Sequence, residues 1–420
     1  MKKFWCLFLI AILLLGCADD PDAPIGVVTP APETPAAVEA TAVPETAEPD
    51  ATPSPAPTET PAPEPTLSPE ERLYNYIDGM TDAEKIGQLC MFGFTGTKEI
   101  SADFKKILQE YRIGGVMLYG QNVSRTDSDG GFDRCAALTD SVRRANRSGI
   151  PLLIGIDVEG GRVTRFRWKK TLSSARTLGK KNDPDKAREQ FRYIADGLSS
   201  AGINMDLAPC LDISEAPGET FLGTRIISSD SDVAAEIGLA CVEGLHDGGC
   251  LSVVKHFPGH GGTNADSHES TPVVNKSYDA LADYDLVPFR EALGTVDGVL
   301  VAHILYPKID DRRIASLSEA FIDGLLRGEL GYEGVVMSDD FRMNGLRQQT
   351  SLKNGAVQFI LAGGDLILCG ANHSYQREIL KGLTEAVENG TIGADRLNES
   401  VYRILSAKMK TGWDPFENED

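Results

Sequence analysis

From residue 81 onward the chain repeats one unit: a short apolar or β-branched run, then an amphipathic segment of about ten to twenty residues. The runs are Leu89–Phe94, Gly115–Tyr119, Leu152–Asp157, Asn204–Ala208, Ser252–His256, Gly298–His303, Gly334–Ser338 and Asp365–Cys369. Runs this short and this apolar read as strands buried on both faces, which is the pattern of a parallel sheet covered by helices. Several are announced by Gly-Ile or Gly-Tyr, as in "SGIPLLIGID", "AGINMDLAP" and "GYEGVVMSDD"; a helix C-cap feeding a buried strand has this signature. Eight strands alternating with helices predict an α/β fold, a (β/α)8 TIM barrel, whose active site is built at the C-terminal strand ends. Polar residues do appear where the apolar runs stop: Asp157, Lys255-His256, His303 and Asp339-Asp340. The competing architecture, a doubly wound sheet, usually carries a glycine-rich phosphate loop after its first strand. Here "CMFGFTG" lacks that spacing.

The N-terminus has a different character. In "MKKFWCLFLIAILLLGC", Lys2 and Lys3 precede the apolar run Phe4 to Leu15, which is shorter than the roughly 20 residues needed to span a bilayer. Residues 1–17 therefore read as a secretory signal peptide. Its end, Leu14-Leu15-Gly16-Cys17, resembles a bacterial lipobox. That resemblance implies lipidation at Cys17 and an exported chain anchored to the outer face of the bacterial cell membrane. Residues 18–67 are rich in Pro, Ala, Thr and Glu. Such a composition cannot bury a core and is expected to be a disordered, extended linker. At roughly 3.1 Å per residue it would reach at most about 150 Å. Order is expected from Ser68-Pro69, a helix start with proline at the first helical position, and Thr81-Asp82-Ala83-Glu84 reads as a capping box. One catalytic domain is expected over 68–415, followed by an acidic tail, 416–420.

The net charge of −21 argues against a nucleic-acid partner, because phosphate binding needs clustered Lys and Arg. Ten of the acids fall in the linker, so the remaining charge says little about partners. Cysteines 90, 135, 210, 241, 250 and 369 remain beyond the signal. A domain this large does not need disulfides, and buried thiols are expected; only Cys241 and Cys250 lie close enough in sequence to suggest a pair.

Three stretches carry candidate chemistry. "KHFPGHGGTNADSHES", residues 255–270, holds His256, His260 and His268. Zinc would need three ligands converging on one point, each with its own orienting partner. A polar structural loop is a second reading. The third is acid/base work: Asp266-Ser267-His268 sets a carboxylate two residues from an imidazole, where it can fix the tautomer while the other ring nitrogen exchanges a proton. Gly259, Gly261 and Gly262 would let this loop move. In "GVVMSDDFRM", residues 334–343, a carboxylate at a strand end suits a nucleophile or a metal ligand, and Asp340 is expected to be the N-cap of the next helix. In "GIDVEGGRVTRF", residues 155–166, Asp157 and Arg165 suit a polyhydroxylated ligand, or else a salt-bridged loop.

Together these stretches resemble glycoside hydrolase family 3, most closely its single-domain β-N-acetylhexosaminidase branch, over most of residues 70–410. "KHFPGHG" followed by "DSH" carries the resemblance. "D-x-EGGRVxRF" and "SDD" after the seventh strand support it, and "LGTR", "VAHILYP" and "ASLS" fall in order. The resemblance implies that Asp339 is the nucleophile, His268 the general acid/base and Asp266 its orienting partner. It implies sugar-binding roles for Asp157, Arg165, Arg225, Lys255 and His256, no metal or cofactor, and no ligand role for His260. Val158, Ile226-Ile227 and Phe341-Arg342 depart from the family's usual residues, and the two isoleucines are expected to reshape the pocket wall.

The chain ends soon after the eighth strand and its helices. The resemblance then implies that no second domain supplies a carboxylic acid, which leaves the Asp266–His268 pair in that role. The activity implied is that of a monomeric, exo-acting, retaining β-N-acetylglucosaminidase. It would release terminal N-acetylhexosamine from cell-wall-type or chitin-type saccharides. An unperturbed imidazole with a pKa of about 6.5 is serviceable as acid and base near neutrality. Alternatives are β-glucoside or β-xyloside substrates, phosphorolysis in place of hydrolysis, and a non-catalytic sugar-binding surface lipoprotein.

Overall fold

The computed structural model describes residues 67–216 and 220–417. The expected signal peptide, Cys17, all of the linker but Leu67, and residues 418–420 of the acidic tail lie outside the described residues.

Ten strands follow in chain order: β1 (Cys90–Gly93), β2 (Gly115–Met117), β3 (Leu153–Ile156), β4 (Met205–Asp206), β5 (Leu251–Phe257), β6 (Gly298–Val301), β7 (Leu305–Tyr306), β8 (Asp310–Ile314), β9 (Val335–Ser338) and β10 (Ile367–Cys369). Eight of them form one parallel sheet in the order β10-β1-β2-β3-β4-β5-β6-β9. A parallel bridge from Met337 to Leu366, with Ser338 N donating to Leu366 O at 3.0 Å, brings β9 against the lead-in of β10 and closes the circle. With helices between the strands this is the expected (β/α)8 barrel. Seven of the eight anticipated runs contain one of its strands, and the eighth, Ser252–His256, lies inside the longer β5. Most strands are shorter than the runs; the last residues of two runs, Tyr119 and Asp157, leave the ladder and line the mouth.

Local signals explain the boundaries. Ser68 and Thr81 each cap a helix through a reciprocal capping box, with Glu71 and Glu84 respectively. The glycines before two strands do what only glycine does without penalty. Gly202 (φ 71°) and Gly331 (φ 66°) turn left-handed, so that Ile203 N reaches back to Leu198 O and Tyr332 N to Leu326 O.

The sequence reading did not anticipate the antiparallel hairpin β7–β8 between β6 and β9. Leu305 in it pairs with the segment after the histidine loop: Val274 N donates to Leu305 O and Leu305 N to Pro272 O, both at 2.9 Å.

All six cysteines in the described residues are free and buried, Cys241 and Cys250 included. At the end of the barrel where strands begin, Asp365 is fully buried. It takes hydrogen bonds from Arg327, Arg396 and Arg403, from the Ser400 hydroxyl and from Val336 N. Burial alone would raise its pKa, but the three guanidinium groups hold it below the usual carboxylate range. Lys408 is buried nearby in sequence-distant company: its ammonium donates to Gln88 Oε1 at 2.6 Å, and burial pushes its pKa down to about 7. No helix among the described residues is long and apolar enough to cross a membrane.

Candidate active site

At the other end of the barrel the strand ends surround a pocket of about 460 Å³. Asp157 sits one residue past β3, Lys255 and His256 lie within β5, and Asp339 sits one residue past β9. Loops add Arg165 after β3, Arg225 after β4 and His268 after β5. Seven of the eight residues assigned from the sequence thus line one pocket. The eighth, Asp266, reaches it through His268.

The sugar-binding candidates form one tight charged network. Lys255 Nζ donates to Asp157 Oδ1 and sits against Glu159 Oε1, each at 2.7 Å. Arg165 Nη2 donates to Asp157 Oδ2 at 3.0 Å. Arg225 holds Glu159 with two parallel bonds, 2.7 Å from Nε and 2.9 Å from Nη2. Burial by itself would raise both carboxyls. Lys255 and Arg165 hold Asp157 below its ordinary range, and Arg225 and Lys255 hold Glu159 far below it. Burial likewise works against the Lys255 ammonium, but the two carboxylates more than offset it and raise its pKa. The network therefore stays ionised, its side chains fixed by one another before any ligand arrives.

A second layer sits behind it. Asp212, fully buried, accepts from His256 Nδ1 at 2.5 Å, from His260 N at 2.6 Å and from Cys210 Sγ at 3.1 Å. On the other side of the ring, His256 Nε2 lies 3.3 Å from Arg225 Nη2. Burial would raise Asp212, but His256 and His260 hold it well below the usual range. Burial, and then the nearby His256, bring the pKa of His260 down to about 4, against the opposing pull of Asp212 and Asp339. Its ring packs edge-on against Phe221, centroids 4.7 Å apart. The ligand atoms of Cys210, Asp212 and His256 lie within 4.8 Å of one another. The 2.5 Å between Asp212 Oδ2 and His256 Nδ1 is a hydrogen bond, shorter than the roughly 3.3 Å that separates two such ligands on a tetrahedral zinc. The three histidines of the motif do not converge: they take Asp212, Ser267 and Asp266 as separate partners.

The Asp266–His268 pair is built differently. Asp266 Oδ1 accepts from His268 N at 2.9 Å and lies 2.7 Å from His268 Nδ1. Partial burial would raise the Asp266 carboxyl, but the two His268 contacts hold it down. The imidazole is 72% exposed, and its Nε2 has no partner among the described residues. Asp339 is open in the same sense: its side chain accepts only Asp340 N, at 2.8 Å, among the described residues.

Three expectations are corrected. Asp340 is not a helix N-cap: the next helix runs Asn344–Arg347, with Met343 at the cap position. Asp340 instead braces three strand ends. It accepts from Gly370 N and Arg342 N at 3.0 Å, from Arg342 Nη2 at 2.7 Å and from Tyr119 Oη at 2.9 Å. Ile226 and Ile227 do not shape the pocket wall, because both are buried in the core behind Arg225; Phe221 lines the pocket in their stead. Gly261 is there for close approach and not for mobility, since a Cβ on it would lie 1.7 Å from Ile213 O. The sequence reading assigned no role to Glu159, Asp212, Tyr119 or Phe221. Glu159 in "DVEGG" and Asp212 in "APCLD" each follow an apolar run, the same signal that marked Asp157.

The family described as glycosyl hydrolase family 3 N-terminal domain matches residues 81–407. Among curated relatives, the beta-hexosaminidase of Tolumonas auensis is 34% identical over 292 residues, covering 68% of this chain and 84% of that one. Beta-hexosaminidase LpqI of Mycobacterium tuberculosis is 31% identical over 338 residues, covering 78% and 83%. Among solved structures, a glycoside hydrolase family 3 β-N-acetylglucosaminidase from Paenibacillus sp. str. FPU-7 aligns with TM-score 0.75 and 38% identity, over 80% of this chain and 63% of that one. The structure of M. tuberculosis LpqI aligns with TM-score 0.71 and 29% identity, over 80% and 96%.

Proposed function

The chain belongs to glycosyl hydrolase family 3, and from that premise we propose that it is an exo-acting, retaining β-N-acetylglucosaminidase. The relatives named as beta-hexosaminidase and β-N-acetylglucosaminidase support the substrate class. The single observation that carries the mechanism is the shared pocket. Asp339 and His268 both open, through atoms with no partner among the described residues, onto a wall of charged groups suited to sugar hydroxyls.

The terminal N-acetylhexosamine is held by Asp157, Arg165, Arg225, Lys255 and His256. An Asp339 oxygen attacks the anomeric carbon while the glycosidic C–O bond breaks. His268 Nε2 gives its proton to the departing oxygen, and the Asp266 carboxylate steadies the ring. The glycosyl-enzyme is then opened by water, whose proton His268 takes back. Most retaining enzymes perform these steps with two carboxylates; here an oriented imidazole takes one place. Prior fixing of the sugar is the source of much of the rate, since aligned reacting groups can contribute roughly 7–11 kcal/mol.

The experiment is incubation with a fluorinated N-acetylglucosaminyl donor that stalls the second step, followed by intact and peptide mass measurement. A covalent adduct on the peptide containing Asp339 is expected. Faster hydrolysis of aryl β-glucosides or β-xylosides than of the N-acetylglucosaminide would overturn the substrate assignment.

The N-terminal sequence supports a second part of this reading: export, acylation of Cys17 and tethering to the outer face of the cell membrane. The expected result is that Cys17→Ser moves the protein from the membrane fraction to the medium. The catalytic unit is proposed to act as a monomer, to be checked by light scattering.

A further inference from the structure

His268 has little packing of its own. Its side chain is 72% exposed, and its partner Asp266 belongs to the same loop. What fastens this loop to the barrel is the turn that follows Asp339. Gly345 N donates to Ser267 O at 2.9 Å. Thr271 Oγ1 donates to Gly345 O at 2.9 Å and accepts from Gln349 Nε2 at 2.9 Å. Thr271 N donates to Gln348 Oε1 at 3.3 Å. Ser267, the residue before the imidazole, is buried, and its hydroxyl lies 3.4 Å from His260 Nε2. The fit at Gly345 is close: a Cβ there would lie 3.1 Å from His303 and 3.2 Å from Ser267 O. The loop bearing one reacting group is thus latched to the loop bearing the other.

We propose that Thr271, Gln348 and Gln349 are positioning residues that hold His268 Nε2 in line with the departing oxygen. None of them lines the sugar pocket. The Thr271 hydroxyl uses both its donor and an acceptor on one turn, so it fixes the loop in two directions. The proposal rests on the assignment of His268 as acid and base. Proton transfer is sensitive to alignment, and about 1 Å of misplacement can cost on the order of a hundredfold. Hydrogen bonds of this kind, two exposed and one part-buried, each add only about 0.5–1.5 kcal/mol to stability, so loss of the latch should appear mainly in the proton-transfer steps and little in melting.

The test uses the full chain with Thr271→Val, which keeps the shape and removes the hydroxyl. Its kcat/KM is measured on aryl N-acetylglucosaminides of graded leaving-group acidity. A dinitrophenolate leaves without a proton, and azide attacks the anomeric carbon without needing a base. For the poorest leaving group kcat/KM should fall about tenfold or more. The dinitrophenyl substrate should stay within about twofold. Azide should restore turnover, and Thr271→Ser should restore all rates. The Gln348→Ala, Gln349→Ala double variant should show the same pattern more weakly, and stands in should Thr271→Val not fold. Unchanged rates for every leaving group, or a uniform fall across the series, would overturn the latch. His268→Ala is run in parallel. If it lacks the leaving-group pattern, the acid/base assignment has failed and not merely the latch.

Discussion

Asp365 and Asp339 belong to neighbouring segments of one barrel, the first just before β10 and the second just after β9. Both carry a carboxylate, and their surroundings are opposite. Asp365 is fully buried, and each of its oxygens is saturated by guanidinium, hydroxyl or backbone donors. Asp339 is half-buried, has one backbone donor among the described residues, and faces the pocket. A carboxylate whose lone pairs are all taken can only hold the fold together. One left short of partners inside a ring of paired charges is where a substrate can supply what is missing. The contrast extends to imidazole: His256 has both ring nitrogens engaged, whereas His268 keeps one open.

The contrast is tested most severely by Asp339→Asn. Loss of the nucleophile should lower kcat by at least about 10⁴-fold, with the melting temperature unchanged; an active variant would erase the distinction between the two carboxylates. His268→Ala should lower kcat/KM on unactivated substrates by about 10²- to 10⁴-fold, again without loss of stability by urea titration. Asp365→Ala should do the reverse. Three guanidinium groups left without their carboxylate should cost about 3–5 kcal/mol in urea unfolding, while the folded fraction keeps wild-type kcat.

The smallest effect concerns Lys408, whose pKa in the folded chain is about 7 against about 10.4 unfolded. Between those values the unfolded chain binds more protons, so stability should rise as pH climbs from 7 and fall back as pH drops through 7. Lys408→Met should remove that rise, read as the difference in melting temperature between pH 7 and pH 9. If the slope persists in Lys408→Met, another group is responsible.

The barrel was legible because its strands are buried on both faces. An uninterrupted apolar run such as "LLIGI" leaves few other interpretations, and the glycines at 202 and 331 mark the preceding helix ends. The hairpin β7–β8 was not legible: "LYPKIDDRRI" is mostly polar, and Leu305 pairs with a segment some thirty residues back. Asp157, Lys255 and Asp339 stood out as polar residues closing apolar runs. Glu159 gave the same signal two residues after its run and Asp212 four residues after its own, but their importance depends on β3, β4 and β5 being neighbours, which no local pattern states. Asp340 went wrong for a local reason. The helix after β9 starts at Asn344, and Arg342, only two residues on, takes the carboxylate a cap would have used.

The six interior thiols have a practical meaning. Burial raises the pKa of all six, Cys135 to about 12 and Cys90, Cys210, Cys241, Cys250 and Cys369 likewise above the ordinary cysteine value. A maleimide dye in the surrounding medium would therefore find almost nothing to label in the intact barrel. Dye uptake becomes a gauge of how often the barrel opens, and no cysteine need be engineered to read it.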